Sequence, residues 1–356
     1  MKARLKELVR FETIALVVLA IYPFFPFLDL ATGMALRLQL INIFIFAILA
    51  LALNVQVGYA GLQQLGIAAF FAIGAYATGI LTVEKYPFQL GFWGALFVAP
   101  ACAGLAGLAL GAPTLRLRGD YLAIVTLGFG EVVRIVLVNL ENITDGPRGL
   151  NPIPEPWMPE VVRTSVTEAG RLRFLTIYFL SLLFLVGIAL VLHQLEKTRL
   201  GRSLVALRED ELATACMGLN PVRIKLIALL VGASIAGIAG ALYATNLTTT
   251  AEPNTYDFNY SIMVLCCIII GGVGSLRGAL LGAAVLLGFD NVVSPLITEL
   301  LQKNFQAQTG NVLLSFNNWR WIIFGTALVL MIRFRPEGLW PSSRHAAELH
   351  HKEETV

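Results

Sequence analysis

Apolar runs that approach or exceed the roughly 20 residues of a membrane-crossing helix recur along the whole of this chain. No other feature restricts its fold so strongly. The composition follows from them: 57 % of residues are hydrophobic, 14 % are charged and the mean hydropathy is +0.74. A soluble domain carries about 25 % charged residues. The length of 356 residues would otherwise allow about two or three soluble domains. The chain reads instead as an all-α, polytopic integral membrane protein.

Ten spans follow from the pattern, at about 12–30, 35–55, 62–83, 90–112, 120–140, 173–194, 223–247, 258–273, 278–297 and 319–334. The third, fifth and eighth carry the weakest signal, and some spans are candidates for broken or re-entrant helices. A cytoplasmic N-terminus puts the C-terminus on the same side. Lysine and arginine are then biased about two to one toward the cytoplasm, as the positive-inside rule requires. The basic N-terminus precedes an uncleaved first span, because PFFPFLDL follows it rather than a small-residue cleavage site. Residues 1–340 make a single transmembrane domain, and 341–356 a polar tail. His345, His350 and His351 lie in that tail, which reads as solvated rather than metal-binding. Cys102, Cys266 and Cys267 fall in apolar spans and Cys216 in the reducing cytoplasm, so no disulfide is expected.

One polar island interrupts the apolar pattern at about 195–222. It contains EKTRLGRS, from Glu196, and LREDELATACMGLNPVRIK, from Leu207 to Lys225. The charge bias makes it cytoplasmic. Glu209, Asp210 and Glu211 complement the positive end of a helix dipole. Gly218 can take the left-handed stop conformation, and Pro221 follows. A helix of about two to three turns is predicted. Val205, Leu212, Cys216 and Leu219 share one face of it at 3.6-residue spacing, with Asp210, Glu211 and Thr214 away from that face. Such a helix can lie among headgroups or dock a cytoplasmic protein. The three acids favour docking, since an anionic lipid surface repels them.

Gly58, Tyr59, Gly61, Gln63, Gln64 and Gly66 form a polar, glycine-rich lead-in to the third span. Two readings are open: a plain loop, or an interrupted segment whose helix ends face a substrate path. Glu131 and Arg134 lie one turn apart inside the fifth span, where ionisable groups face a partner or a cavity. They neutralise each other or serve transport. Asp290, in the ninth span, has no evident partner in the sequence. Gly274, Gly278 and Gly282 recur every fourth residue, as do Gly232, Ala236 and Gly240, a pattern of close helix packing. The loop at about 141–172 contains TDGPRGLNPIPEPWMP; with Trp157 and Met158 it suits a binding protein or a local lid. The sequence has no Walker A, HExxH, zinc-spaced cysteine pair or nucleophile elbow, so neither catalytic residues nor a metal are expected.

Blocks spread over most of the chain carry a resemblance. They are GYAGLQQLGIAAFFAIGAY (Gly58 to Tyr76), LRLRGDYLAIVTLGFGE (Leu115 to Glu131), TRLGRSLVALREDELATACMGLNPVRIKLIAL through the island, GGVGSLRGALLG (Gly271 to Gly282) and RFRPEGL (Arg333 to Leu339). Together, and in this order, they resemble the permeases of branched-chain amino acid ABC importers, on their M-type side. The island itself resembles the coupling segment of ABC importer permeases, with Glu211 seven residues before Gly218. The resemblance implies a transport subunit of a bacterial inner membrane, not an enzyme. It implies a homologous second permease in a heterodimer and two cytoplasmic ATP-binding subunits that hold ATP and Mg. It also implies an extracytoplasmic amino-acid-binding protein that delivers leucine, isoleucine or valine. This chain would hold no cofactor, contact the lipid bilayer and bind no nucleic acid. Arg208, Glu209, Asp210, Glu211 and Gly218 would face the ATPase. A permease for urea or short amides, and a stand-alone secondary transporter or channel, are the alternative readings; the island speaks against the latter.

Overall fold

A computed structural model describes residues 36–87, 89–114, 119–154, 156, 169–295, 297–298, 319–335 and 337–340. Among these the regular structure is entirely helical. Hydrocarbon offers no water to the backbone, and a helix satisfies its N–H and C=O groups internally. Helix α1 spans Leu36–Leu53 and runs on through a π-helical turn, Asn54–Tyr59. Then come α2 (Ile67–Thr82), α3 (Gly91–Thr114), α4 (Asp120–Asn139) and α5 (Ala169–Lys197). The island folds as α6 (Arg199–Glu209) and α7 (Glu211–Cys216). After it come α8 (Pro221–Leu247), α9 (Phe258–Gly271), α10 (Leu276–Gly288, continued by a π-turn Phe289–Val293) and α11 (Arg320–Phe334). Asp290 sits in that π-turn.

Among the described residues, six segments are long and apolar enough to cross a membrane: Gln39–Tyr59, Gly91–Thr114, Asp120–Asn139, Arg173–Lys197, Pro221–Leu247 and Leu276–Val293. They match the second, fourth, fifth, sixth, seventh and ninth spans expected from the sequence. The expected first span, at 12–30, and the polar tail lie outside the described residues. The expected third and eighth spans are short helices: α2 has 16 residues and α9 has 14. At ~1.5 Å per residue they reach ~24 and ~21 Å, less than the ~30 Å hydrocarbon core. The weak fifth signal nevertheless belongs to a continuous 20-residue helix, α4.

Both short helices follow backbone breaks. Residues 61–66 are not helical, and α2 starts only at Ile67. Hydroxyls from two other helices meet this break: Thr126 Oγ1 accepts from Leu65 N at 3.0 Å, and Ser261 Oγ from Ala68 N at 3.2 Å. Before α9 the chain passes through a 3-10 turn, Pro253–Tyr256, and Asp257 caps the helix by accepting from Tyr260 N.

Helix α8 is the hub of the bundle and lies against α1, α2 and α3. Small residues permit this, because helices in a membrane associate through close packing rather than hydrophobic exclusion. A Cβ on Gly240 would overlap the Phe71 carbonyl of α2, and one on Gly232 would overlap the Gln56 side chain of α1. Gly278 and Gly282 bring α10 equally close to the Gly271 and Cys267 carbonyls of α9. The expected glycine stripe needs one correction. Gly274 is not on that helical face; it lies in the loop before α10, at φ +79. The run GGVGS turns the chain there, so the four-residue period has no helix to act on.

Gly240→Val is expected to destabilise the purified protein by about 1–3 kcal/mol or more, the usual cost of overpacking. Gly187→Val adds its side chain where no atom lies within 4 Å and is expected to stay within ~0.5 kcal/mol of the parent. Thermal unfolding in detergent checks both; equal shifts would show that α8 does not depend on this close approach.

Candidate coupling and transport site

The island is built from local capping. Thr198 accepts a hydrogen bond from Gly201 N and starts α6, which buries Gly201, Leu204 and Leu207. At Asp210 the backbone turns extended, at φ −155 and ψ 117, and its carboxylate accepts from Leu212 N and Ala213 N. This N-cap ends one helix and begins the next. Gly218, at φ +80, stops α7, and Asn220 caps α8. The single amphipathic face expected from the sequence is therefore wrong. The 3.6-residue period does not run through an N-cap, so Leu212 is 66 % exposed, Cys216 and Leu219 are exposed, and Thr214 is buried.

The five island residues divide. Glu211 turns inward to Lys225 of α8, at 2.8 Å, and Lys225 is itself buried. Arg208 also turns inward: its Nη1 donates to the Gly58 carbonyl at 2.8 Å. Its stem crosses Gly61 and its guanidinium touches Gly274, two glycines at φ +68 and +79 that leave no room for a Cβ beside it. Glu209, Asp210 and Gly218 stay exposed. With Arg199, Arg202, Met217 and Leu219, the two acids line a surface groove of about 440 Å³.

A second clasp sits beside the first. The Tyr59 hydroxyl donates to Glu196 Oε1 at 2.6 Å. Asn54 Oδ1 accepts from Gly274 N at 2.9 Å, joining the end of α1 to the loop before α10. That loop is pinned in turn by Leu339 N on the Ile270 carbonyl and Trp340 N on the Gly271 carbonyl. Four of the five sequence blocks thus meet at one end of the bundle. The fifth reaches the break before α2 through Thr126, whose carbonyl a Cβ on Gly66 would overlap.

Of the lead-in residues, Gly58 and Tyr59 belong to the π-turn, Gly61 and Gln63 are exposed in the break, and Gln64 is 1 % exposed. Neither amide atom of Gln64 has a hydrogen-bond partner among the described residues; the same is true of Asn54 Nδ2 and Gln56 Oε1. Such orphans are rare in native interiors. Glu131 Oε2 lies 2.9 Å from Arg134 Nε, and Arg134 Nη1 donates to Asn254 Oδ1 at 2.7 Å. The sequence reading missed Asn54, Gln56, Thr126, Lys225, Ser261 and Asn254. Asn54 and Gln56 did carry a signal, being amides inside an apolar run; the others become informative only through distant partners.

The outer loop packs down as far as it is described. Leu150 and Ile153 are buried, Ile153 N donates to the Thr248 carbonyl, and Thr250 N to the Leu150 carbonyl. Trp157 and Met158 lie outside the described residues.

A family model for the permease component of branched-chain amino acid transport systems matches residues 37–332. The chain belongs to this family. It is 40 % identical over 320 residues to the high-affinity branched-chain amino acid transport system permease protein LivM of Salmonella typhimurium, covering 86 % of this chain and 70 % of that one. LivM of Escherichia coli matches to the same extent. The guanosine ABC transporter permease protein NupQ of Bacillus subtilis is 25 % identical over 243 residues, or 66 % of this chain and 73 % of its own. No solved structure matches the chain.

Gln64→Leu removes a buried amide that has no hydrogen-bond partner among the described residues and is expected to raise stability by about 1 kcal/mol. Thermal unfolding of the purified permease measures it; a loss of stability would show that the amide is bonded in the folded protein.

Proposed function

We propose that this chain is a membrane-spanning permease subunit of an ATP-driven importer that carries branched-chain amino acids across the bacterial inner membrane. Family membership and the 40 % identity to LivM support the transport role and the cargo. One structural observation carries the mechanism: Arg208 ties the island to the Gly58 carbonyl, beside the two glycine loops at the ends of α1 and α9. In this reading ten spans place both termini and the island in the cytoplasm, on the basic side of the chain.

Of the two ATPase subunits, which hold ATP and Mg, one docks in the groove between Glu209, Asp210 and Met217 and the other on the second permease. Its closing moves α6 and α7, which the partly buried Glu211–Lys225 pair ties to α8. Arg208 passes that shift to the π-turn of α1, which the Tyr59–Glu196 bond also holds to α5, and so to the break before α2. π-turns and broken helices are where membrane helices yield and where cargo sites form. A homologous second permease completes the path; the LivH permease of Salmonella typhimurium, 22 % identical over 252 residues, is the kind of subunit expected. An extracytoplasmic binding protein delivers leucine, isoleucine or valine. The kinship with a guanosine permease fits a division of labour in which that protein selects the cargo.

The decisive experiment reconstitutes the chain with its second permease, ATPases and binding protein and follows labelled leucine. Uptake is expected to require ATP and every partner; robust uptake by the chain alone would overturn the assignment. Within that complex, two variants separate docking from coupling. Met217→Glu puts a charge on a side chain that is 82 % exposed and is expected to lower ATPase retention tenfold or more, as at an interface hot spot. Arg208→Ala leaves the groove intact and is expected to retain the ATPases while lowering leucine uptake per ATP hydrolysed. Retained ATPase with Met217→Glu, or normal uptake per ATP with Arg208→Ala, would break the corresponding link.

A further inference from the structure

Helix α4 is the least covered of the six spans: 17 % of its apolar window is buried, against 78 % for α1. Ile124, Val132 and Ile135 stand exposed on its open face. Beside them is the Glu131–Arg134 pair, with side chains 36 % and 28 % exposed. An ionised group facing lipid costs ~2.5–3.5 kcal/mol at the helix centre and less toward its ends; Glu131 is the twelfth and Arg134 the fifteenth of the 20 residues of α4. A face that keeps both therefore borders water or another protein, not acyl chains. Asn254, the third member of the set, sits in the 3-10 turn between α8 and α9, on the interrupted backbone that leads into a short helix.

We propose that Glu131, Arg134 and Asn254 form a polar station for the zwitterionic head group of the amino acid cargo. The Glu131 carboxylate takes the ammonium group, while the Arg134 guanidinium and the Asn254 amide take the carboxylate. Ile135, one turn beyond Glu131, and Val132 meet the branched aliphatic chain. This rests on the importer reading above and adds to it the residues that handle the cargo.

The chemistry is balanced. An amino acid carries both charges on one carbon, so its entrance adds no net charge to a low-dielectric site. Each member of the ion pair exchanges one opposite charge for another through charge-assisted hydrogen bonds. When the cargo leaves, the pair closes on itself at 2.9 Å and no uncompensated charge is stranded, the state that is costly in an interior. A carboxylic acid or an amine alone would satisfy one side and strand the other. Glu131 and Arg134 remain 36 % and 28 % exposed, which fits a path whose far wall belongs to the second permease.

The test uses the complete reconstituted complex and leucine, with uptake expressed per ATP hydrolysed and per assembled complex. Wild-type uptake comes first; its absence would sink the importer reading, and the station with it. Given that uptake, Glu131→Gln and Arg134→Gln are each expected to lower it tenfold or more. The swap of Glu131→Arg with Arg134→Glu restores an ion pair but turns the head group around, sending the side chain away from Ile135. It is expected to remain as low as the single variants. Full recovery in the swap would make the pair structural and overturn the proposal. So would normal uptake per assembled complex in both glutamine variants, whatever their yield.

Discussion

A backbone inside hydrocarbon cannot lend its N–H and C=O groups to water, so every departure from helix must be met by another part of the protein. This bundle departs from α-helix at the π-turn and break between Asn54 and Gly66, in the turns between α8 and α9, and in the loop before α10. Each departure has its substitute partners. Thr126 and Ser261 hydroxyls serve the start of α2, the Tyr76 and Tyr256 hydroxyls donate to the Ala251 and Thr250 carbonyls of the turns before α9, and Arg208 and Asn54 serve the Gly58 carbonyl and Gly274 N–H. Because the substitutes come from distant elements, the breaks also join those elements mechanically. A movement of one cannot leave the others bonded as before.

That linkage explains the division of labour within the island. Its inward side chains, Glu211 and Arg208, attach it to α8 and to the end of α1. Its outward ones line an open groove. A coupling element needs both properties, and a single amphipathic helix lying among headgroups would have only one. The N-cap at Asp210 creates the arrangement, by ending α6 and beginning α7 at an extended residue.

The open face of α4 follows the same economy of partners. Five of the six crossing segments bury more of their apolar surface than α4 does. On α4 the exposed aliphatic side chains stand beside a pair of opposite charges that lipid would not accept without cost. The second permease proposed above would supply the complement to that face.

The amino-acid sequence alone determined the class of the protein, six of the ten spans it predicts as helices long and apolar enough to cross a membrane, the polar island, the left-handed stop at Gly218 and the family. These rest on local signals: runs of apolar residues, caps, and blocks of residues in order. For the stretch before α2 it left two readings open, a plain loop or an interrupted segment, and it began the span at residue 62 rather than at Ile67. Tertiary structure decided the rest. Nothing near Arg208 in sequence shows that it turns inward, because its partner Gly58 is 150 residues away. Gly274 fitted a helical packing stripe until Asn54, 220 residues distant, placed it at a junction. Asn254 showed no role until Arg134, 120 residues earlier, came within 2.7 Å. Apolar spans are written in the sequence because partition into lipid depends on each segment by itself. The polar contacts that connect and open those spans depend on which segments meet, and only folding brings them together.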